Sequence, residues 1–170
     1  MVMNPFFFLA KKISLPLLVV ALIMMAGCAS GPRPKPWVLS INKTTTASIQ
    51  VDLIGITASE QPYWEGYNLD KYWADGDRRR AGADKLTQTL LYNKPWRVEM
   101  NNPKWQAWFN RGATQLLIIA DLPGSFDSGP ADPRRLIIPL DKHAWKTKDN
   151  TIEIQVQDTI LSVLTPQTPR

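Results

Sequence analysis

The chain has 170 residues, with 20 Lys and Arg against 15 Asp and Glu, one His and one Cys. A net charge of +5 on a chain that is 44% hydrophobic describes a folding polypeptide with a mildly basic exterior, and excludes a disordered polyelectrolyte. A single cysteine excludes a disulfide framework and a thiolate metal site.

The first 27 residues stand apart. Apolar residues 6–10 precede Lys11 and Lys12, and an apolar run follows over residues 13–25, interrupted by Pro16. That run is shorter than the ~20 apolar residues of a spanning helix. A span over residues 6–25 would bury both lysines at ~2.5–3.5 kcal/mol each. The small residues Ala26 and Gly27 then lead to Cys28, the layout of an export signal ending at a peptidase cut.

The segment Leu22-Ile23-Met24-Met25-Ala26-Gly27-Cys28 resembles the lipobox of bacterial lipoproteins, with Met25 where Leu is usual. The resemblance implies that residues 1–27 are a lipoprotein signal peptide. Cys28 then becomes the mature N-terminus, carrying a diacylglycerol thioether and an N-acyl chain such as palmitate. At ~0.8 kcal/mol per buried methylene, two or three chains make a lasting membrane anchor. Ala29 and Ser30, in place of an Asp after the cysteine, imply the outer membrane, with the domain facing the periplasm. Loss of residues 1–27 from the 170 leaves 143, and loss of Lys11 and Lys12 leaves 18 basic residues against 15 acidic. That length is one ordinary domain, and an exported chain is a poor partner for nucleic acid.

Residues 28–36 form the lipidated N-terminus and a stalk, since Pro32, Pro34 and Pro36 favour extended backbone. From Trp37 onward the dominant period is two. Trp37, Leu39 and Ile41 alternate, and so do Ile49, Val51 and Leu53 after a polar turn. Trp96, Val98 and Met100 follow the same rule, as do Ile152, Ile154 and Val156. Residues 114–122 are apolar on both faces, which suits a central strand, whereas Pro139 beside Leu136, Ile138 and Leu140 marks an edge. Residues 87–92 and 160–164 complete about eight strands. With turn signals between them, they predict an all-β antiparallel sandwich over residues 37–170.

Two short helices are expected within it. Asn102 caps a helix opening on Pro103 and ending at Gly112, with Trp105, Trp108 and Phe109 on one face. Asn68 caps a second that carries Leu69, Tyr72 and Trp73 and ends near Gly76.

No catalytic constellation emerges, and no motif calls for a cofactor or metal. His143 lies near Asp141 on a loop, but no serine has a Gly-x-Ser-x-Gly context. Asp75-Gly76-Asp77 lacks calcium-loop spacing and reads as a turn at a helix end. The proline-rich residues 123–133 form a long connection with Phe126 as its one anchor. The densest chemistry lies in an insertion over residues 57–93, where Tyr63, Trp64, Tyr67, Tyr72 and Trp73 precede Arg78, Arg79 and Arg80. The arginines either pair with Asp70, Asp75 and Asp77 as a solvated run or grip an acidic partner or phosphate. The aromatics either form a small core capping one end of the sandwich or present a surface. That surface would serve as a protein-binding hot spot or a platform for sugar rings. Tyr63, Trp64, Tyr67, Trp73, Arg78 and Arg79 are the candidate partner-binding residues.

The order of elements is similar to that of TssJ, the small outer-membrane lipoprotein family of type VI secretion membrane complexes. The shared features are the lipobox, the strand over residues 49–56 and the inserted helix with Tyr72-Trp73. The strands over 115–121 and 135–140 and the closing hairpin over 151–164 complete the set. The resemblance implies an immunoglobulin- or transthyretin-like sandwich that holds a larger envelope protein anchored in the inner membrane. In that family a loop between the first two strands contacts the partner; here it is only Asn42-Lys-Thr-Thr-Thr-Ala47. Two functions follow as expectations: a non-enzymatic, membrane-anchored assembly module, or a glycan- or peptidoglycan-binding lipoprotein that uses the aromatic insertion.

Overall fold

A computed structural model describes residues 31–92 and 94–169. The signal segment and the Cys28 lipidation site lie outside the described residues. Eight strands form two four-stranded sheets packed face to face. They are β1 (Val38–Lys43), β2 (Ile49–Ile56), β3 (Lys85–Leu90), β4 (Trp96–Val98), β5 (Gln115–Ala120), β6 (Arg135–Pro139), β7 (Thr151–Val156) and β8 (Leu161–Val163). One sheet has the order β4-β1-β7-β8 and the other β3-β2-β5-β6. The sandwich is therefore as the alternation predicts. One pairing departs from an antiparallel plan: β1 and β7 run parallel, with Val38 opposite Thr151 and Lys43 opposite Val156. Alternation fixes which face a residue takes but carries no information on strand direction.

Leu39, Ile41, Ile152, Ile154 and Val156 face Ile49, Val51, Leu53, Leu116, Ile118 and Ile138 across the sandwich, and all are buried. β6 is an edge strand, so Pro139 sits where its missing N–H costs no ladder bond. β5 lies between β2 and β6 and is buried on both sides. Its outward residues Leu117 and Ile119 enter a second apolar cluster with Ile54, Ile56, Trp64, Leu69 and Tyr72.

That second cluster is made by the chain between β2 and β3, which folds into three short helices: α1 (Gln61–Gly66), α2 (Leu69–Trp73) and α3 (Arg78–Gly82). The sequence points to α2 and its Asn68 cap, whose side chain accepts from the Lys71 N–H at 2.8 Å. α1 has no side-chain cap and α3 buries no residue, so neither carries the combination of cap and apolar face that marks α2. Asp75-Gly76-Asp77 is the expected turn, with Gly76 at φ +78°, and Asp77 caps α3. The insertion covers the outer face of one sheet, where the sequence suggests a cap at one end of the sandwich. The reason is visible in β2 and β5: both carry apolar residues on both faces, so the outer face needs a cover.

The fourth helix, α4 (Pro103–Asn110), has the expected Asn102 cap and buries Trp105 and Trp108 in the sandwich core. It crosses β2 at Gly55, where a Cβ would lie under 3.0 Å from three Trp108 atoms. Only glycine fits that approach.

The stretch read as a stalk is engaged from Arg33 onward. The Arg33 N–H donates to Asp141 Oδ2 at 2.7 Å, and the Lys35 N–H to the Leu140 carbonyl at 3.1 Å. The connection before β6 also has more anchors than Phe126. Asp132 and Arg134 are buried together at 2.8 Å, with the Arg134 guanidinium 4.9 Å above the Phe126 ring, and Asp70 joins Arg134 from α2.

Candidate functional site

The insertion is fastened by one buried carboxylate. Asp52 is the lone acid of β2, fully buried on its outer face. It accepts hydrogen bonds from the Tyr72 hydroxyl at 2.9 Å, Arg80 Nε at 3.0 Å and the Thr87 hydroxyl at 2.6 Å. Arg80 also donates to Gln50 Oε1 at 2.7 Å and lies 4.1 Å from the Trp73 ring. Helices of five or six residues have no stability of their own, and this constellation holds α2 and α3 to the sheet. Burial, then the neighbouring Asp52 carboxylate, pushes the Tyr72 phenol far up, so it stays a neutral donor. Arg135 on β6 secures α1 by donating to the carbonyls of Trp64 and Tyr67. The Trp64 carbonyl also accepts the Tyr67 N–H at 3.3 Å, so Arg135 reinforces the C-terminal end of α1.

Asp77 ties the end of α1 to α3. It accepts the Arg80 N–H at 2.7 Å and the Tyr67 hydroxyl at 2.8 Å. Burial works against its charge. The Arg80 N–H and the Tyr67 hydroxyl, with Lys71 nearby, outweigh it and hold the carboxyl below the usual range. Burial and the bond to Asp77 push the Tyr67 phenol up to about 12.

Between α1 and α3 an open cleft of about 480 Å³ remains. Five of the six residues singled out from the sequence line it: Tyr63, Trp64, Tyr67, Arg78 and Arg79. Trp73 does not. It packs against Arg80 on the other side of the insertion, and its indole N–H is buried with no acceptor among the described residues. Trp64 is 4% exposed and Tyr72 is fully buried, so those two are core. Tyr63 remains 43% exposed, but the Arg79 guanidinium lies 4.1 Å from its ring and its hydroxyl accepts from Arg79 Nε at 2.9 Å. With Arg79 lying on the ring of Tyr63, the sugar-platform reading gains no support.

The arginine run splits three ways. Arg80 turns inward to Asp52, Arg79 lies on Tyr63, and Arg78 stays exposed. None of the three pairs with Asp70, Asp75 or Asp77 through its side chain, contrary to the solvated-run expectation; Asp70 pairs with Arg134. Asp52, Arg134 and Arg135 do not stand out in the sequence, and Arg80 stands out only as one of the arginine run. A single acid inside Ile49–Ile56, flanked by Val51 and Leu53, was the available signal, because a charge in a two-face-buried strand requires a partner.

His143 is exposed, and Asp141 accepts its backbone N–H at 2.8 Å, so the two form no catalytic dyad. The Arg33 and His143 N–H groups hold the Asp141 carboxyl below its usual range. The loop after β1 closes on itself. Lys43 reaches the Ala47 carbonyl, and the Thr45 hydroxyl accepts the Ala47 N–H at 3.2 Å. No cluster of His, Cys, Asp and Glu suited to a metal occurs among the described residues.

Similarity to known proteins lies in the fold. No protein-family model matches the sequence, and no curated protein matches it. Among solved structures, a chain of the "Type VI membrane complex" aligns at a TM-score of 0.54 and 15% identity, covering 78% of this chain and 99% of that one. This chain shares that chain's fold. A chain of a structure described as the T6SS protein TssM C-terminal domain from EAEC aligns at 0.51 and 13% identity, covering 75% and 99%. The T6SS lipoprotein TssJ1 from Pseudomonas aeruginosa aligns at 0.47 and 10% identity, covering 81% and 100%.

Proposed function

We propose that this protein is a non-enzymatic, lipid-anchored envelope lipoprotein that serves as an assembly module, holding a larger envelope protein in a type VI secretion membrane complex. The supporting observation is the correspondence of fold with a type VI membrane-complex chain over 99% of that chain's length. The lipobox-like segment ending at Cys28 supports the anchor and an outer-membrane address facing the periplasm. No helix among the described residues is long and apolar enough to cross a membrane. The domain boundaries follow: signal over 1–27, lipidated N-terminus over 28–36, sandwich over 37–170. The partner-binding surface is the cleft lined by Tyr63, Tyr67, Arg78 and Arg79.

The test is fractionation with labelled palmitate. The wild type should carry label and pellet with outer membranes, and Cys28→Ser should lose the label and leave the pellet. Co-purification from envelopes should yield a large periplasm-exposed protein at fixed ratio. A label-free wild type, or one recovered alone, refutes the proposal.

A further inference from the structure

We propose that the cleft between α1 and α3 takes an acidic peptide segment of the partner, seating a carboxylate on Arg78 and Arg79 and an apolar side chain against the exposed rim at Tyr63. This rests on the assembly role above and specifies the chemistry of what is held.

Charge carries the argument. The cleft contains two acids, and both are already engaged. Asp84 accepts from Lys104 and from Arg111 at 3.2 Å, and Glu60 accepts the Thr57 N–H at 2.8 Å. Facing them, Lys71, Arg78 and Arg79 have no carboxylate within 4.0 Å among the described residues. The cleft therefore presents an excess of cations that the chain itself leaves unneutralised.

Arg79 is also pre-positioned. Its Nε is held by the Tyr63 hydroxyl and its plane by the Tyr63 ring, while its terminal nitrogens have no partner among the described residues. A guanidinium fixed in this way loses little further freedom when its fork meets a carboxylate. The floor beneath, Ile54 and Trp64, is apolar but nearly closed at 4% exposure each, and the apolar surface left open is the rim at Tyr63, 43% exposed. A free inorganic anion would use the cations and leave this rim unused. A peptide with alternating acidic and aliphatic side chains would use both. Aromatic residues and arginine around an apolar centre are also the composition of protein-binding hot spots.

The test uses the full lipidated chain in a non-ionic detergent and a fluorescein-labelled peptide of alternating glutamate and leucine, read by anisotropy. The wild type should bind saturably and lose affinity as salt rises. Arg78→Glu with Arg79→Glu should weaken binding about tenfold or more, the order of two lost charge-assisted contacts, and should instead take up the matching lysine–leucine peptide. Both positions are exposed, and an unchanged unfolding midpoint will show the double variant is folded. Arg97→Glu, outside the cleft, should bind as the wild type does. Absence of wild-type binding overturns the proposal, as does equal binding by the double variant. So does peptide displacement by inorganic phosphate at equal charge, or retention on phosphatidylglycerol vesicles without peptide binding. If the double variant co-purifies with the envelope partner as well as the wild type does, the cleft assignment fails and the assembly role stands. If the wild type has no partner yet binds the peptide, the reverse holds.

Discussion

Replacing Asp52 tests whether one buried carboxylate holds the helical insertion in place. In Asp52→Ala the Tyr72 hydroxyl, buried inside the cluster, loses its acceptor, and an unsatisfied buried donor costs ~1–3 kcal/mol. Arg80 is 24% exposed at its side chain and keeps Gln50 and water, so its loss is smaller, about 1 kcal/mol. Thr87 is exposed and turns to solvent at little cost. The expected destabilisation is about 2–4 kcal/mol in all. Asp52→Asn should cost less, about 1–2 kcal/mol. Its carbonyl still accepts from Tyr72 and Arg80, and its amide can donate to the Thr87 hydroxyl, so mainly the charge assistance is lost. Tyr72→Phe, combined with Asp52→Ala, removes the stranded hydroxyl and should recover about 1 kcal/mol or more. Urea unfolding followed by tryptophan fluorescence measures all four chains, and limited proteolysis should show cleavage gained between β2 and β3. An Asp52→Ala chain within 0.5 kcal/mol of the wild type, or a double variant no better than Asp52→Ala, would refute the latch.

Three further outcomes follow from the same geometry. Gly55→Ala should destabilise by about 1–3 kcal/mol because Trp108 has to yield to the new Cβ, and calorimetry reads the shift; an unchanged midpoint would mean that α4 moves freely. Trp64→Ala should cost about 3–5 kcal/mol as a core truncation, whereas Tyr63→Ala at the cleft rim should cost under about 1 kcal/mol, both read from urea midpoints. Asp77→Ala removes the α3 cap for about 1 kcal/mol. Because the folded carboxyl of Asp77 lies below its unfolded value, its contribution is complete above the unfolded value near pH 4. It is lost as pH falls through the folded value, so the Asp77→Asn and wild-type stability curves should converge in acid. A gap that persists in acid would exclude Asp77 ionisation as its source.

The parts of this molecule that were legible beforehand are those governed by a local period. Eight strands appear where alternation places them, and the α4 cap is Asn102, because each signal lies within a few residues of its effect. The parallel pairing of β1 with β7 was not legible, since it joins segments more than a hundred residues apart and leaves no mark on either alternation. The insertion was half legible. Its aromatic content was plain, but where those aromatics go depends on β2 and β5 offering two apolar faces.

The division of the arginine run is the clearest case of what spacing cannot convey. Arg78, Arg79 and Arg80 are neighbours of one residue type, yet α3 sends successive side chains about 100° apart around its axis. One therefore reaches the sheet, one lies along α1 and one meets solvent. Their roles follow from what stands at each bearing: a buried acid for Arg80, a phenol for Arg79, and nothing in the described chain for Arg78. A structural arginine and two unneutralised ones are thus rigidly coupled, since any shift of α3 that re-aims Arg78 and Arg79 must also pull Arg80 off Asp52. If the cleft binds a partner through the outer pair, Asp52→Ala should weaken that binding although Asp52 does not line the cleft. Equal binding by the Asp52→Ala chain would separate the latch from the site.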